Sequence, residues 1–170
     1  MTQKGLSESE GQSTRYQEAA EGLWQRLKEM VMLRKRLENY VFMPETDPEE
    51  KVNGWLDHLL DEGQVKPLAT EMTLRAFRVA VEAINYKILV RLQKERSVSI
   101  SMLAELTGLP DLLVGERVND LVQVGLALRS IENDQVNASL LADSLLGIIG
   151  ETTEELTRNV RDRLPGVMEK

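Results

Sequence analysis

Apolar residues recur at steps of three and four over most of this chain and switch to alternation only near its middle, the marks of helices and of a short strand pair. The first stretch runs from about Ser13 to Phe42. Tyr16, Ala20, Leu23, Leu27, Met30, Arg34, Leu37 and Val41 are spaced alternately by four and three, and Ala19, Trp24, Val31, Leu33 and Tyr40 widen the strip. This near-heptad predicts a coiled-coil-like helix that packs lengthwise on another, in the same chain or in a partner. Arg34 on that seam either snorkels to water or pairs across the contact.

A second helix is signalled by Asp47-Pro48-Glu49-Glu50, an Asp cap with proline in the first turn and a glutamate that can reach back. Its apolar face is Val52, Trp55, Leu56, Leu59 and Leu60, and Glu62 to Pro67 reads as a stop and a linker, with a boundary near residue 67. From about Thr70 to Glu95 a third helix carries Leu74, Phe77, Val81, Ile84, Ile88 and Leu92 on one face.

Two short helices follow. Ser99 or Ser101 can cap the first, which holds Met102, Leu103 and Leu106 and ends at Gly108, where glycine takes a left-handed conformation at least cost. Pro110 opens the second, which runs through Leu113, Val114, Val118, Leu121 and Val122 to Gly125. Leu126, Leu128 and Ile131 then alternate, Glu132 to Gln135 supplies turn formers, and Val136, Ala138 and Leu140 return as a strand. Ser139 can cap a last long helix with Leu141, Leu145, Ile148, Ile149, Leu156, Val160 and Leu164.

The fold class that follows is mainly α: a winged helix-turn-helix with a small β-wing, plus long N-terminal and C-terminal helices. Residues 1–12, rich in Ser, Glu, Gly and Gln, are expected to form a disordered tail; 13–67 a helical extension; 68–138 the winged unit; and 139–170 the terminal helix.

The stretch Leu103-Ala104-Glu105-Leu106-Thr107-Gly108-Leu109, with Leu113-Val114, Leu121 and Val124-Gly125-Leu126 beyond it, resembles the winged-helix DNA-binding domains of the ArsR and MarR transcriptional regulator families. The spacing from Gly108 to Gly125 fits that pattern without an insertion, and the likeness covers roughly residues 72–164. It implies a cytoplasmic homodimer built by terminal helices, in which Leu23, Leu27, Met30, Leu37, Leu145, Ile149, Leu156 and Val160 are the candidate interface. It also implies that the second short helix enters the major groove of double-stranded DNA, with Arg117, Asn119, Arg129 and the cluster Arg34-Lys35-Arg36 as candidate contacts.

Charge complicates that picture. The whole chain carries a net charge of −7 and has a pI near 4.9. Between Pro110 and Val136 the cations are Arg117 and Arg129 against Asp111, Glu116, Asp120, Glu132 and Asp134, a local balance of −3. Phosphate contacts need Lys or Arg to displace counterions. The face predicted for the second short helix, Asp111, Leu112, Gly115, Glu116 and Asn119, is instead apolar and acidic. The alternative function is therefore a scaffold or adaptor that holds a protein partner through Asp111, Leu112, Leu113 and Glu116; the plainer reading of Leu112 and Leu113 is that they are core.

Catalysis and cofactor chemistry find no support. There is no Cys, which removes thiolate nucleophiles, disulfides and zinc–thiolate sites. The one His, His58, has only Asp57, Asp61 and Glu62 near it, a weak divalent-ion set. No Gly-rich phosphate loop and no Gly-x-Ser-x-Gly occurs. No apolar run approaches the length of a membrane span. Trp24, Trp55 and the Met30-Val31-Met32 segment read as core, with a hydrophobic slot for a small apolar effector as the alternative.

Overall fold

A computed structural model describes the backbone of residues 4–41, 62–130 and 132–168 and the side chains of residues 14–33, 63–130 and 132–163. The second predicted helix, with Trp55 and His58, lies outside the described residues.

The described chain is mainly helical with one small antiparallel sheet. Its elements are α1 (Lys4–Val41), α2 (Glu62–Val81), α3 (Ala83–Glu95), β1 (Val98–Ser99), α4 (Ile100–Thr107), α5 (Asp111–Gln123), β2 (Ala127–Arg129), β3 (Gln135–Ala138) and α6 (Leu140–Met168). Strands lie in the order β1-β3-β2, with Val98 opposite Val136 and Ala127 opposite Ala138. None of the described helices is long and apolar enough to cross a membrane.

α3 is the hub of the core. It packs on α2, α4, α5, β3 and α6. Asn85, Ile88, Leu89 and Leu92, one helical stripe, are its buried face, and Leu103, Val114, Val118, Leu121, Leu126, Val136, Leu141 and Leu145 close around them. At about 25 cal/mol per Å² of apolar surface withdrawn from water, each such side chain contributes about 1.5–3 kcal/mol. The caps and stops sit where the residue types call for them. Ser99 accepts from the Met102 amide and Ser139 from the Ala142 amide, while Gly108 at φ +65° and Gly125 at φ +79° end α4 and α5.

Five sequence expectations change here. The single helix expected over residues 70–95 breaks at Glu82, whose extended backbone separates α2 from α3. The break rotates the stripe, so Leu74 and Val81 face solvent and Ala76 and Ala80 face the core. Second, no stop occurs at Glu62–Pro67: α2 spans Glu62–Val81 and contains Pro67 as its sixth residue, so the helix continues through a proline that supplies no donor to its i→i−4 ladder. Third, α1 begins at Lys4 within the expected tail, because extending an existing helix costs far less than starting one and no proline interrupts the segment. Fourth, β1 pairs with β3 although Ser99 was read only as a cap; two residues are too short for alternation to register. Within β2, Leu128 points outward and Ala127 inward, opposite to the expected alternation.

The terminal helices lie antiparallel on each other. Arg15 pairs with Glu151, Ser144 Oγ donates to Glu18, and Gly22 abuts Leu141. A Cβ on Gly22 would stand 2.7 Å from that of Leu141, so the absence of a side chain lets the two backbones approach. Further along, Arg26 Nε donates to the Gln123 carbonyl at 3.0 Å, closing the C-terminal end of α5 with a cation.

Candidate functional site

α5 buries Val114, Val118 and Leu121 and turns Asp111, Leu112, Glu116, Asn119 and Gln123 outward. Burial decides the reading of the two leucines. Leu112 is 77% exposed, the most exposed of the large apolar side chains described, whereas Leu113 is half-buried. An exposed leucine has no place in the core reading.

The start of α5 is tied to the start of α4 by Ser101 Oγ donating to Asp111 Oδ2 at 3.1 Å. The residue after each, Met102 and Leu112, is exposed. Of the apolar residues that the sequence places on this helix, Leu103 is buried and Leu106 half-buried against the core, while Met102 faces outward.

The two cations of this region are both engaged. Arg117 Nη1 lies 2.9 Å from Glu82 Oε1 and 3.5 Å from Asp120 Oδ2, which holds it against the α2–α3 break. Arg129 donates to Asp134 Oδ1 from Nε and Nη2 at 3.0 and 2.7 Å, and to Asn119 Oδ1 from Nη1 at 3.2 Å. Asp134 adopts φ +51° between β2 and β3, a conformation that a short polar side chain tolerates better than most. Asn119 is thereby occupied as an acceptor by the protein itself. Arg34, Lys35 and Arg36 lie on α1, but their side chains are outside the described set.

The candidate dimer residues divide. Leu145 is in the chain's own core at 1% exposure, and Leu23, half-buried, packs against that core and also lines a groove between α1 and α2. Leu27 lines the same groove. Met30 is partly exposed, Ile149 half-buried, and Leu156 and Val160 exposed on the distal part of α6. Leu37 lies on α1, with its side chain outside the described set. Among the described residues no group of three or more His, Cys, Asp or Glu side chains could hold a metal ion.

No family model, no curated protein and no solved structure matches the chain.

Proposed function

We propose that α3 to β3 is a winged helix-turn-helix unit used as a protein-binding scaffold or adaptor, with the outward face of α5 as its docking surface. The order helix, strand, two short helices, then two strands, in a sheet arranged β1-β3-β2, supports the winged reading. One observation carries the choice of partner: Arg117 and Arg129, the cations between Pro110 and Val136, are both neutralised by carboxylates within the chain. What α5 offers outward is an apolar anchor, Leu112, beside Glu116. Phosphate recognition needs cations free to release counterions, whereas an exposed apolar anchor with acidic neighbours suits a protein segment that brings an apolar side chain and a basic flank.

Titration of labelled duplex DNA with the full chain at low salt tests this reading. The expected result is no saturation at micromolar protein, with Glu116→Lys producing weak, salt-sensitive binding. Tight binding by the wild type, lost in Arg117→Ala and Arg129→Ala, would instead establish the regulator reading.

A further inference from the structure

Arg96 stands where the chain turns from α3 into β1, at φ +64° and ψ −49°, a conformation strained for any residue that has a Cβ. The Ser97 amide donates to the Glu95 carbonyl at 2.8 Å, which makes Arg96 the centre of a γ-turn of the rare positive-φ kind. The side-chain amide of Asn137, in the orientation that satisfies its neighbours, donates to the Arg96 carbonyl at 2.8 Å and fixes the turn. Glycine would adopt this backbone at less cost. Asp134, the other non-glycine at positive φ among the described residues, has a short polar side chain that tolerates it; Arg96 has none. Strain of this kind persists only where surrounding structure enforces it, and it clusters at ligand-binding positions. Within the described chain nothing else uses the arginine: its guanidinium has no ion pair or hydrogen bond with any described residue. It lines a cavity of about 470 Å³ between the ends of α3 and β3 and the first turn of α6, together with Leu92, Gln93, Ala138 and Asp143. Gln93 and Asp143 are exposed and equally without a side-chain partner among the described residues, and Asp143 does not pair with Arg96 across the cavity. One unpaired cation, one unpaired carboxylate and one amide thus share a space walled by Leu92 and Ala138.

We propose that this cavity binds a small zwitterion of the α-amino-acid class, its carboxylate on Arg96 and its ammonium on Asp143. A guanidinium presents two parallel donors that match a carboxylate. Asp143 repels a plain anion such as phosphate and calls for a ligand that also carries a positive charge, while the wall of Leu92 and Ala138 suits a short apolar side chain. The site uses none of the residues of the α5 docking face, so either can fail while the other stands.

Titration of the full chain with L-valine, followed by backbone amide chemical shifts, tests it, with isovalerate and isobutylamine as probes that each keep one of the two charges. L-valine should give saturable shifts at Gln93, Arg96, Ala138 and Asp143 with a Kd of about millimolar order, the range open to so small a ligand. Each single-charge probe should bind at least about tenfold more weakly, and Arg96→Gln and Asp143→Asn should each weaken L-valine by at least about tenfold, since each removes one charge-assisted contact. Arg96→Gly separates the strain from the role of the side chain: it should raise the thermal midpoint by about 2–4 °C while losing L-valine. Absence of saturable shifts at L-valine concentrations well above millimolar overturns the inference. Isovalerate binding as tightly as L-valine overturns it too, by making this a plain anion site. An Arg96→Gly chain that melts no higher than wild type, or that binds L-valine as wild type does, overturns it equally.

Discussion

Arg117 reaches out of α5 to Glu82, the residue at which α2 ends and α3 has yet to begin, at 2.9 Å. The contact joins a residue expected to read DNA to a helix break that the apolar periodicity did not reveal. It makes Arg117 a strut between elements. The pair is partly exposed and contributes about 0.2–1 kcal/mol, the range for such ion pairs. A double-mutant cycle with Arg117→Ala and Glu82→Gln, followed by urea denaturation, should return a coupling of about that size. A coupling of zero would mean that the contact does not hold the break.

Asn85 underlies the same corner. It is fully buried, and its Nδ2 donates to the Val79 carbonyl at 2.9 Å and to Glu82 at 3.3 Å. Its amide thus satisfies a carbonyl of the last turn of α2 while tethering the break. Asn85→Ala should cost about 1–3 kcal/mol, the usual cost of a buried acceptor left unpaired. Asn85→Asp should cost more, because it places a carboxylate beside Glu82 in a buried site. Unfolding midpoints for both variants check the order.

Two glycines in helices should respond with opposite signs. Gly22→Ala places a methyl 2.7 Å from the Leu141 side chain and 3.1 Å from its backbone nitrogen, and should destabilise by about 1–3 kcal/mol through overpacking. Gly115→Ala on α5 meets nothing within 4 Å and should stabilise by about 0.5–1 kcal/mol through helix propensity alone. Thermal melts of the two variants compare them directly. A neutral Gly22→Ala would show that α1 and α6 are not in close contact.

Those contacts mark what could be read along the chain and what could not. The stripes of α3 and α5, a serine cap at Ser99 or Ser101, the Ser139 cap and the stops at Gly108 and Gly125 were legible, because each is set by residues within a few positions of one another. The break at Glu82 was not: it depends on Arg117 and Asn85 meeting a carboxylate, and Leu74 and Val81 keep the stripe regular in sequence while facing solvent in space. The partnering of the terminal helices was legible only by half. Their apolar faces announced burial, but nothing local tells a long helix whether its partner is in the same chain. At the candidate site, the acidic and apolar character of α5 could be read directly, as could the scarcity of cations. Neither the orientation of Arg117 nor the hold of Asp134 and Asn119 on Arg129 could be, since both are tertiary contacts of side chains that sequence leaves free.

The hold on Arg129 has a measurable consequence. Weakening it with Asp134→Asn and Asn119→Ala removes the carboxylate partner and one acceptor from the Arg129 guanidinium and lowers the local negative charge by one. The doubly substituted chain should gain weak, salt-sensitive affinity for duplex DNA, with an added slope of about one released ion in a plot of log affinity against log salt. An unchanged, absent affinity would mean that the segment between β2 and β3 does not approach a phosphate backbone even with this carboxylate removed.

The central claim is that α5 binds protein through Leu112, and the composition of the complex held by the full chain in its native host tests it most directly, wild type against Leu112→Glu. The wild type should retain a stoichiometric protein partner and no nucleic acid. Leu112→Glu should lose that partner at least about tenfold, as removal of an interface anchor does, while its thermal midpoint stays level, because a side chain this exposed accepts a charge without cost to folding. Recovery of nucleic acid with the wild type, or a partner retained undiminished by Leu112→Glu, would contradict it.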